Sequence, residues 1–481
     1  MGFRRIRFAP VQSSENKVVA RVDLSPPLLC QNKPRAKDKG RSGCLECKAK
    51  RVKCDETFPI CRRCQRHDRV CHALPRLGQW RTELPWIMAD AATSTWNQRL
   101  EARQAPFANR KFLKMWFERT SRIMVLDDTS NPFSFALIDY VTVSSSLAHV
   151  LQSISAGHEH FFRQPKLYQS LEERGMAMMA LRNELNLRGK PLISMVLTTY
   201  FLGISSTYLD GSIQDFGKEH LCACRRMVES FLLDSTVGHD PMVNHIVDAF
   251  VYWEMTCSVL IDASEHPDFE TSFIRQWILR TGGEQHPLTG SCTYLFHLLS
   301  NMGKYCRAVV DTGERDRSLE RYYERELLDC KSPQEDPLWR VTADAYRNHG
   351  LMLLHRVCAD DYSFSLSAES GDVQSQTDIE AAIRVRAIET LDCLFKVPAT
   401  SNFLNIQAVP LLTAGSELTK DDQELREEVI LRFRAVFSYQ RLPANLSAIE
   451  LLEELWELRD AGIVLSWIEL MLQKNWRLRL G

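Results

Sequence analysis

The 481 residues are 44% hydrophobic and 25% charged with a net charge of −1, an ordinary globular composition with room for one small module and a large domain or two. The near-neutral total hides a segregation: residues 1–80 hold 19 Lys and Arg against 7 Asp and Glu, whereas the other 401 hold 41 against 54. A basic head on an acidic body predicts that the amino-terminal end meets a polyanion and that the body does not.

The first segment, residues 1–43, has little periodic apolar content and ends in KPRAKDKGRSG, which cannot bury enough surface to fold alone. It is expected to be a flexible basic arm serving nuclear import and extra phosphate contacts. MGFRRIRFAP carries charge but no apolar core, and position 6 is Ile6 rather than Ser or Thr, so neither secretion nor myristoylation is expected.

Next comes CLECKAKRVKCDETFPICRRCQRHDRVC. Its cysteines, Cys44, Cys47, Cys54, Cys61, Cys64 and Cys71, form one C-x2-C-x6-C half written twice with six residues between the copies. Zinc takes four thiolates in a tetrahedron, so two zincs need eight ligand positions and six sulfurs fall two short. The shortfall closes if two thiolates bridge both metals, and spacing alone does not say which two. A disulfide scaffold is disfavoured because the chain has no export signal and the two CxxC pairs stand in register. His67 and His72 are close in sequence, but the cysteines already complete both sites. Six thiolates and two Zn2+ sum to −2, while residues 33–71 hold 13 Lys and Arg against 5 Asp and Glu, so a surplus of positive charge remains for a polyanion.

This stretch resembles the DNA-binding module of the fungal Zn2Cys6 (binuclear zinc cluster) transcription factors at every cysteine. It agrees also in the basic run Lys48, Lys50, Arg51, Lys53, in Asp55, and in Pro59. The resemblance implies two Zn2+ bridged by Cys44 and Cys61. It also implies a short helix of the first half entering the major groove of double-stranded DNA, with Lys50 and above all Arg51 in the base-contacting region of a CGG-like site. Lys48, Lys53, Arg62, Arg63 and Arg66 are then assigned to phosphates, which fix position without reading sequence.

Residues 72–109, with Pro75, Pro85 and Pro106 and the tryptophans Trp80, Trp86 and Trp96, read as a linker with one short helix near 90–104. Many proteins with such clusters carry a dimerising coiled coil here, but no a/d heptad persists for three repeats between 72 and 130. Homodimerisation by a zipper is therefore not expected, and pairing through the body stays open.

From Arg110 to Gly481 the pattern is helical. One apolar face runs through Leu137, Val141, Leu147, Val150, Leu151 and Ile154, and another through Leu167, Leu171, Met178, Leu181 and Leu185. A third runs through Leu425, Val429, Phe433 and Phe437, and Ser447 with Glu450 has the form of a capping box opening the next helix. Asp360–Asp378, rich in serine, is expected to be a disordered surface loop. The uncharged runs Pro191–Leu209 and Val397–Ser416 read as buried helices rather than membrane spans. The nine cysteines outside the cluster read as reduced core thiols.

No series of strands and no repeat appears, so the fold class is mostly α, a small zinc cluster followed by a large all-α domain. The body resembles the all-helical fungal-specific transcription factor domain through residues 131–162, 168–187 and 413–462. Catalytic motifs are wanting: His158-Glu159-His160 is not H-E-x-x-H because position 162 is Phe162, and Cys222 and Cys224 have one residue between them rather than two. The acidic helix near 448–460 reads as a wet face. A nuclear, sequence-specific transcription regulator is the resulting expectation, with coregulators and a small-molecule effector as further partners. The alternative is an adaptor or enzyme whose zinc module binds nucleic acid incidentally.

Overall fold

Every regular element among the described residues is helical, apart from an isolated antiparallel bridge between His286 and Gly290. The computed structural model describes residues 43–55, 61–67, 71 and 109–481, except 161–166, 188–191, 210–212, 234–239, 263, 265–271, 282–284, 331–335 and 359–375. The expected basic arm, the helix near 90–104 and most of the serine-rich loop lie outside the described residues. The last three residues of that loop are a correction, because Gln376, Thr377 and Asp378 already open a helix.

The zinc-cluster region contributes α1 (Leu45–Ala49) and α2 (Arg62–Arg66). The body follows with α3 (Arg110–Glu118), α4 (Ile138–Val143), α5 (Ser145–His160), α6 (Tyr168–Leu187), α7 (Ile193–Leu209), α8 (Lys218–Leu233) and α9 (Pro241–Cys257). Then come α10 (Ser272–Thr281), α11 (Thr293–Thr312), α12 (Arg317–Asp329), α13 (Pro337–Val357) and α14 (Gln376–Lys396). The chain closes with α15 (Ala408–Ser416), α16 (Gln423–Gln440), α17 (Ala444–Asp460) and α18 (Trp467–Gln473).

Helices that are apolar all round belong in the centre of a bundle. Of α9, fourteen residues are buried, and all nine of α15 are. Asp240 caps α9, accepting from the Met242 N–H, with Pro241 supplying a pre-set φ at the first helical position. Within the run Pro191–Leu209, residues 193–209 form α7, and no helix among the described residues is long and apolar enough to cross a membrane. Two buried guanidiniums reach carbonyls and hydroxyls in the second half of α7. Arg174 donates to Leu202 O, Ser205 Oγ and Ser206 Oγ, and Arg479 donates to Ile204 O and Thr207 Oγ1. Gly203 on this helix is demanded by packing: a Cβ there would stand 2.2 Å from Trp253 of α9.

The first and third expected faces are buried, with Leu425 half-buried, although the first is divided between α4 and α5. Two expectations fail. Ser447 does not cap a helix, because α17 begins three residues earlier after Pro443, whose carbonyl already accepts the Ser447 N–H at 3.3 Å. The second face is only partly buried, with Leu181 in the core and Leu167 half-buried. In α6 the buried residues are Ser170, Arg174, Ala177 and Leu181, while Leu171, Met178 and Leu185 are exposed. The reason is polar: Ser153 and Ser170 exchange hydrogen bonds, Glu173 meets His149 and Gln152, and Glu184 accepts from Ser144 and Ser146. Satisfying these groups against α5 fixes which side of α6 faces in.

Candidate metal centre and nucleic-acid interface

All six cluster cysteines are buried, and none is in a disulfide. Their sulfurs fall into two tetrads, Cys44, Cys47, Cys54, Cys61 and Cys44, Cys61, Cys64, Cys71, with the sulfurs of each tetrad within 4.8 Å of one another. Cys44 and Cys61 belong to both. The Sγ separations are 3.8 Å for Cys44–Cys61, 3.7 Å for Cys44–Cys64 and 3.8 Å for Cys47–Cys61. A zinc–sulfur bond of about 2.3 Å in a tetrahedron implies a sulfur–sulfur edge of about 3.8 Å, so the donor set fits that metal in type, number and spacing.

Local folding places these sulfurs in a pseudo-symmetric way. Cys44 and Cys61 each sit at the N-cap of a one-turn helix, and each thiol accepts from the N–H three residues on, Cys47 at 3.4 Å and Cys64 at 3.3 Å. Asp55 supports the second turn, its two carboxylate oxygens accepting from the N–H groups of Arg62 and Arg63 at 3.0 and 3.1 Å. Among the described residues, Val52 is the one apolar side chain beyond the cysteines packed on this small cluster.

Burial first, and then neighbouring cysteine sulfurs, push the Cys47, Cys64 and Cys71 thiols well above the ordinary range. Burial also opposes ionisation of Cys61, but donors from Cys64, Cys54 and Cys44 outweigh it and bring that thiol down to about 7. A cage of this kind holds several thiolates only around positive charge, which divalent cations supply when bound.

The basic side chains of the module lie at its surface. Lys48, Lys50, Arg51, Lys53, Arg62, Arg63 and Arg66 are all exposed. Arg51 stands out in its backbone, with φ of 54° in the left-handed region. It terminates α1: the Arg51 N–H donates to Lys48 O and the Val52 N–H to Cys47 O, both at 3.0 Å. That is a Schellman ending with arginine at the position glycine usually takes. An L side chain there costs on the order of 1 kcal/mol relative to glycine. Among the described residues the module is also fastened to the body, because Ser438 Oγ on α16 donates to the Cys71 carbonyl at 2.7 Å. Ser438 lies 367 residues away and carries no signal in the sequence. Asp55 was legible only through the resemblance.

Other motifs gather no site. His158 is half-buried at the end of α5, where desolvation and the Arg441 charge lower its pKa to about 3, and Glu159 pairs with Lys111 at 2.9 Å. Cys224 is buried and Cys222 half-buried on α8. Along α17, Leu451, Leu452, Leu455 and Trp456 enter the core while Glu450, Glu453 and Glu457 face outward.

Comparison with known proteins follows the same division. Residues 42–81 match the Fungal Zn(2)-Cys(6) binuclear cluster domain, a module that binds two zinc ions, and residues 111–481 match the Fungal specific transcription factor domain. Over 33 residues, 7% of the chain, it is 58% identical to the Zn(2)-C6 fungal-type transcription factor afumD of Aspergillus fumigatus. It is 43% identical over 58 residues, 12% of the chain, to the aspercryptin biosynthesis cluster-specific transcription regulator atnN of Emericella nidulans. With transcription factor lfc1 of Flammulina velutipes it shares 45% identity over 49 residues, 10% of the chain. These matches cover 9%, 10% and 17% of the relatives' own lengths, and no solved structure matches. The cysteine cage and the long helical domain behind it therefore place the chain in the family of fungal Zn2Cys6 transcription factors.

Proposed function

We propose that the chain is a nuclear, sequence-specific regulator of RNA polymerase II transcription that reads double-stranded DNA through residues 44–71. In this reading 1–43 is an accessory basic arm, 72–109 a linker and 110–481 a regulatory domain that meets coregulators or a small-molecule effector. Cys44, Cys47, Cys54, Cys61, Cys64 and Cys71 hold the two zincs, with Cys44 and Cys61 bridging. Lys50 and Arg51 meet base edges of a CGG-like site, and Lys48, Lys53, Arg62, Arg63 and Arg66 meet phosphates.

The observation that carries this is the two sulfur tetrads sharing Cys44 and Cys61 in a module whose basic side chains Lys48, Lys50, Arg51, Lys53, Arg62, Arg63 and Arg66 are all exposed. Arg51 adds to it, since a strained backbone under an exposed, charged side chain is what a contact residue can justify and a solvated one cannot. The test is selection of bound sites from random duplex DNA by the zinc-loaded full-length protein. Enrichment of a CGG-like triplet supports the reading. Equal recovery of all sequences would favour an adaptor or enzyme with incidental nucleic-acid affinity.

A further inference from the structure

Between the start of α8 and the segment after α18 lies a cleft of about 180 Å³ whose lining carries charge of both signs. Lys218 and Arg477 bring two cations, Asp262 one carboxylate, Asn475 a side-chain amide, and Phe216 with Leu260 the apolar part. All of these belong to the helical body, far in sequence from the cysteine cage.

Backbone geometry brings them together. Gly217 has φ of 80° and runs so close to α7 that a Cβ there would stand 2.5 Å from Gly203 O, which fixes where Phe216 and Lys218 enter α8. Asn475, with φ of 54°, ends α18: its N–H donates to Leu472 O and the Trp476 N–H to Met471 O, at 2.8 and 2.9 Å. The chain turns there, and the Arg477 N–H donates to Ile213 O at 3.0 Å.

Asp262 is held in place. Arg307 of α11, 3% exposed, donates to Val259 O at 3.1 Å, to Asp311 at 2.8 Å and to Asp262 Oδ1. Arg477 donates to the same Oδ1 at 3.3 Å. Among the described residues Asp262 Oδ2 accepts from none, and the side chain is 46% exposed. Arg477 directs one more donor to Trp476 O at 3.0 Å, so part of the five that a guanidinium carries remains for a ligand.

We infer that this cleft binds a small α-amino acid as its zwitterion, the carboxylate against Lys218 and Arg477 and the ammonium on Asp262 Oδ2. A bare anion would meet the Asp262 carboxylate, and a monocation would meet Lys218 and Arg477. A molecule whose opposite charges stand one carbon apart answers both. Size agrees: the volume lies below the roughly 300–1,000 Å³ of sites for drug-sized ligands. Phe216 and Leu260 are 5% and 1% exposed, which leaves little apolar wall for a long side chain, so glycine, L-alanine and L-serine are the expected occupants. The site goes beyond the reading of DNA; where both hold, its occupant is the small-molecule effector proposed for the body.

Saturation-transfer NMR on the full-length, zinc-loaded protein without DNA should show at least one of these three amino acids binding with a Kd in the roughly millimolar range. Its N-acetyl form, which lacks the ammonium, and its methyl ester, which lacks the carboxylate, should each bind about tenfold more weakly or worse. Lys218→Gln and Asp262→Asn should each weaken the free amino acid by a similar factor, while Asp262→Asn should leave the N-acetyl form unchanged. Asp262 also ties Arg307 and Arg477, so Lys218→Gln decides where Asp262→Asn lowers the denaturation midpoint. No binding of any of the three up to about 20 mM overturns the inference. Equal binding of the N-acetyl form or of inorganic phosphate, which would make the cleft a simple anion site, overturns it as well. So does binding that neither variant changes. Because no DNA is present, failure here is distinct from failure of site selection.

Discussion

Ser438 Oγ donates to the backbone carbonyl of Cys71 at 2.7 Å, joining the last cysteine of the cage to α16 of the helical body. One such bond is worth about 0.5–1.5 kcal/mol net, far less than the apolar core that holds the body together. The two parts are therefore joined without sharing a core: the cage has Val52 and its sulfurs, and the body has a separate cluster of packed side chains.

Metal removal should act on the cage alone. Strong chelators should unfold residues 44–71, seen as loss of protease protection there, while most of the helical circular dichroism persists. Metal analysis of the native protein should return two zincs. Because the bridging positions serve both tetrads, Cys44→Ser or Cys61→Ser should lose both metals, whereas Cys47→Ser or Cys71→Ser should retain a larger share. Equal loss from all four variants would speak against the bridging assignment.

Arg51 combines strain with exposure, so stability and recognition should separate there. Arg51→Gly should leave the cage as stable or more stable, by on the order of 1 kcal/mol, because glycine adopts the left-handed conformation freely. The same change should weaken the preferred site by roughly 1–3 kcal/mol relative to random duplex. Arg62→Ala should instead weaken both alike and reduce the salt slope by about one unit. Equal losses on specific and random DNA for Arg51→Gly would move base reading to Lys50.

The body should be acid-labile above the usual carboxylate range. Burial lowers the pKa of His349 and His297 to about 4, with the Lys304 and Arg225 charges aiding at His297. His286 is likewise held well below its ordinary value by burial and by His245. A histidine depressed in the fold takes up a proton on unfolding, so its contribution is complete above about 6.5 and is lost as pH falls from 6.5 toward 4. Each adds a slope of at most about 1.4 kcal/mol per pH unit in that window. Urea midpoints at pH 7.5, 6 and 5 should fall in that order, and His349→Gln should flatten the fall. A midpoint unchanged between pH 7.5 and 5 would contradict the buried neutral state.

Gly203→Ala should be among the costlier single-methyl additions. The new Cβ would meet Trp253 at 2.2 Å and His220 at 3.1 Å, and the indole is itself 1% exposed and cannot swing away. Overpacking of this kind typically costs about 1–3 kcal/mol, readable as a lowered denaturation midpoint. Gly175→Ala is the contrast: with open space around it, the protein should gain up to about 1 kcal/mol from helix propensity.

The cage was legible from residue order because metal chemistry is local. Ligand type and spacing nearly specify a zinc site, and the six sulfurs gather into two tetrads that share Cys44 and Cys61. Helical character was legible for a similar reason, since Val429, Phe433 and Phe437 repeat with the turn of one helix whatever surrounds it. The capping box at Ser447 failed because the sequence pattern omits the competing acceptor, Pro443 O.

What the chain order by itself determined is therefore the set of contacts made within a few turns: six thiols that can gather two metals, a basic surplus around them, and a succession of helices. Tertiary structure alone decided which way those helices face. An apolar row and a polar row coexist on α6, and periodicity weighs only the first. Half-buried carboxylates and a buried guanidinium cost more to leave unsatisfied than three apolar side chains cost to expose in part, so Glu173, Arg174 and Glu184 face their partners while Leu171, Met178 and Leu185 stay partly exposed.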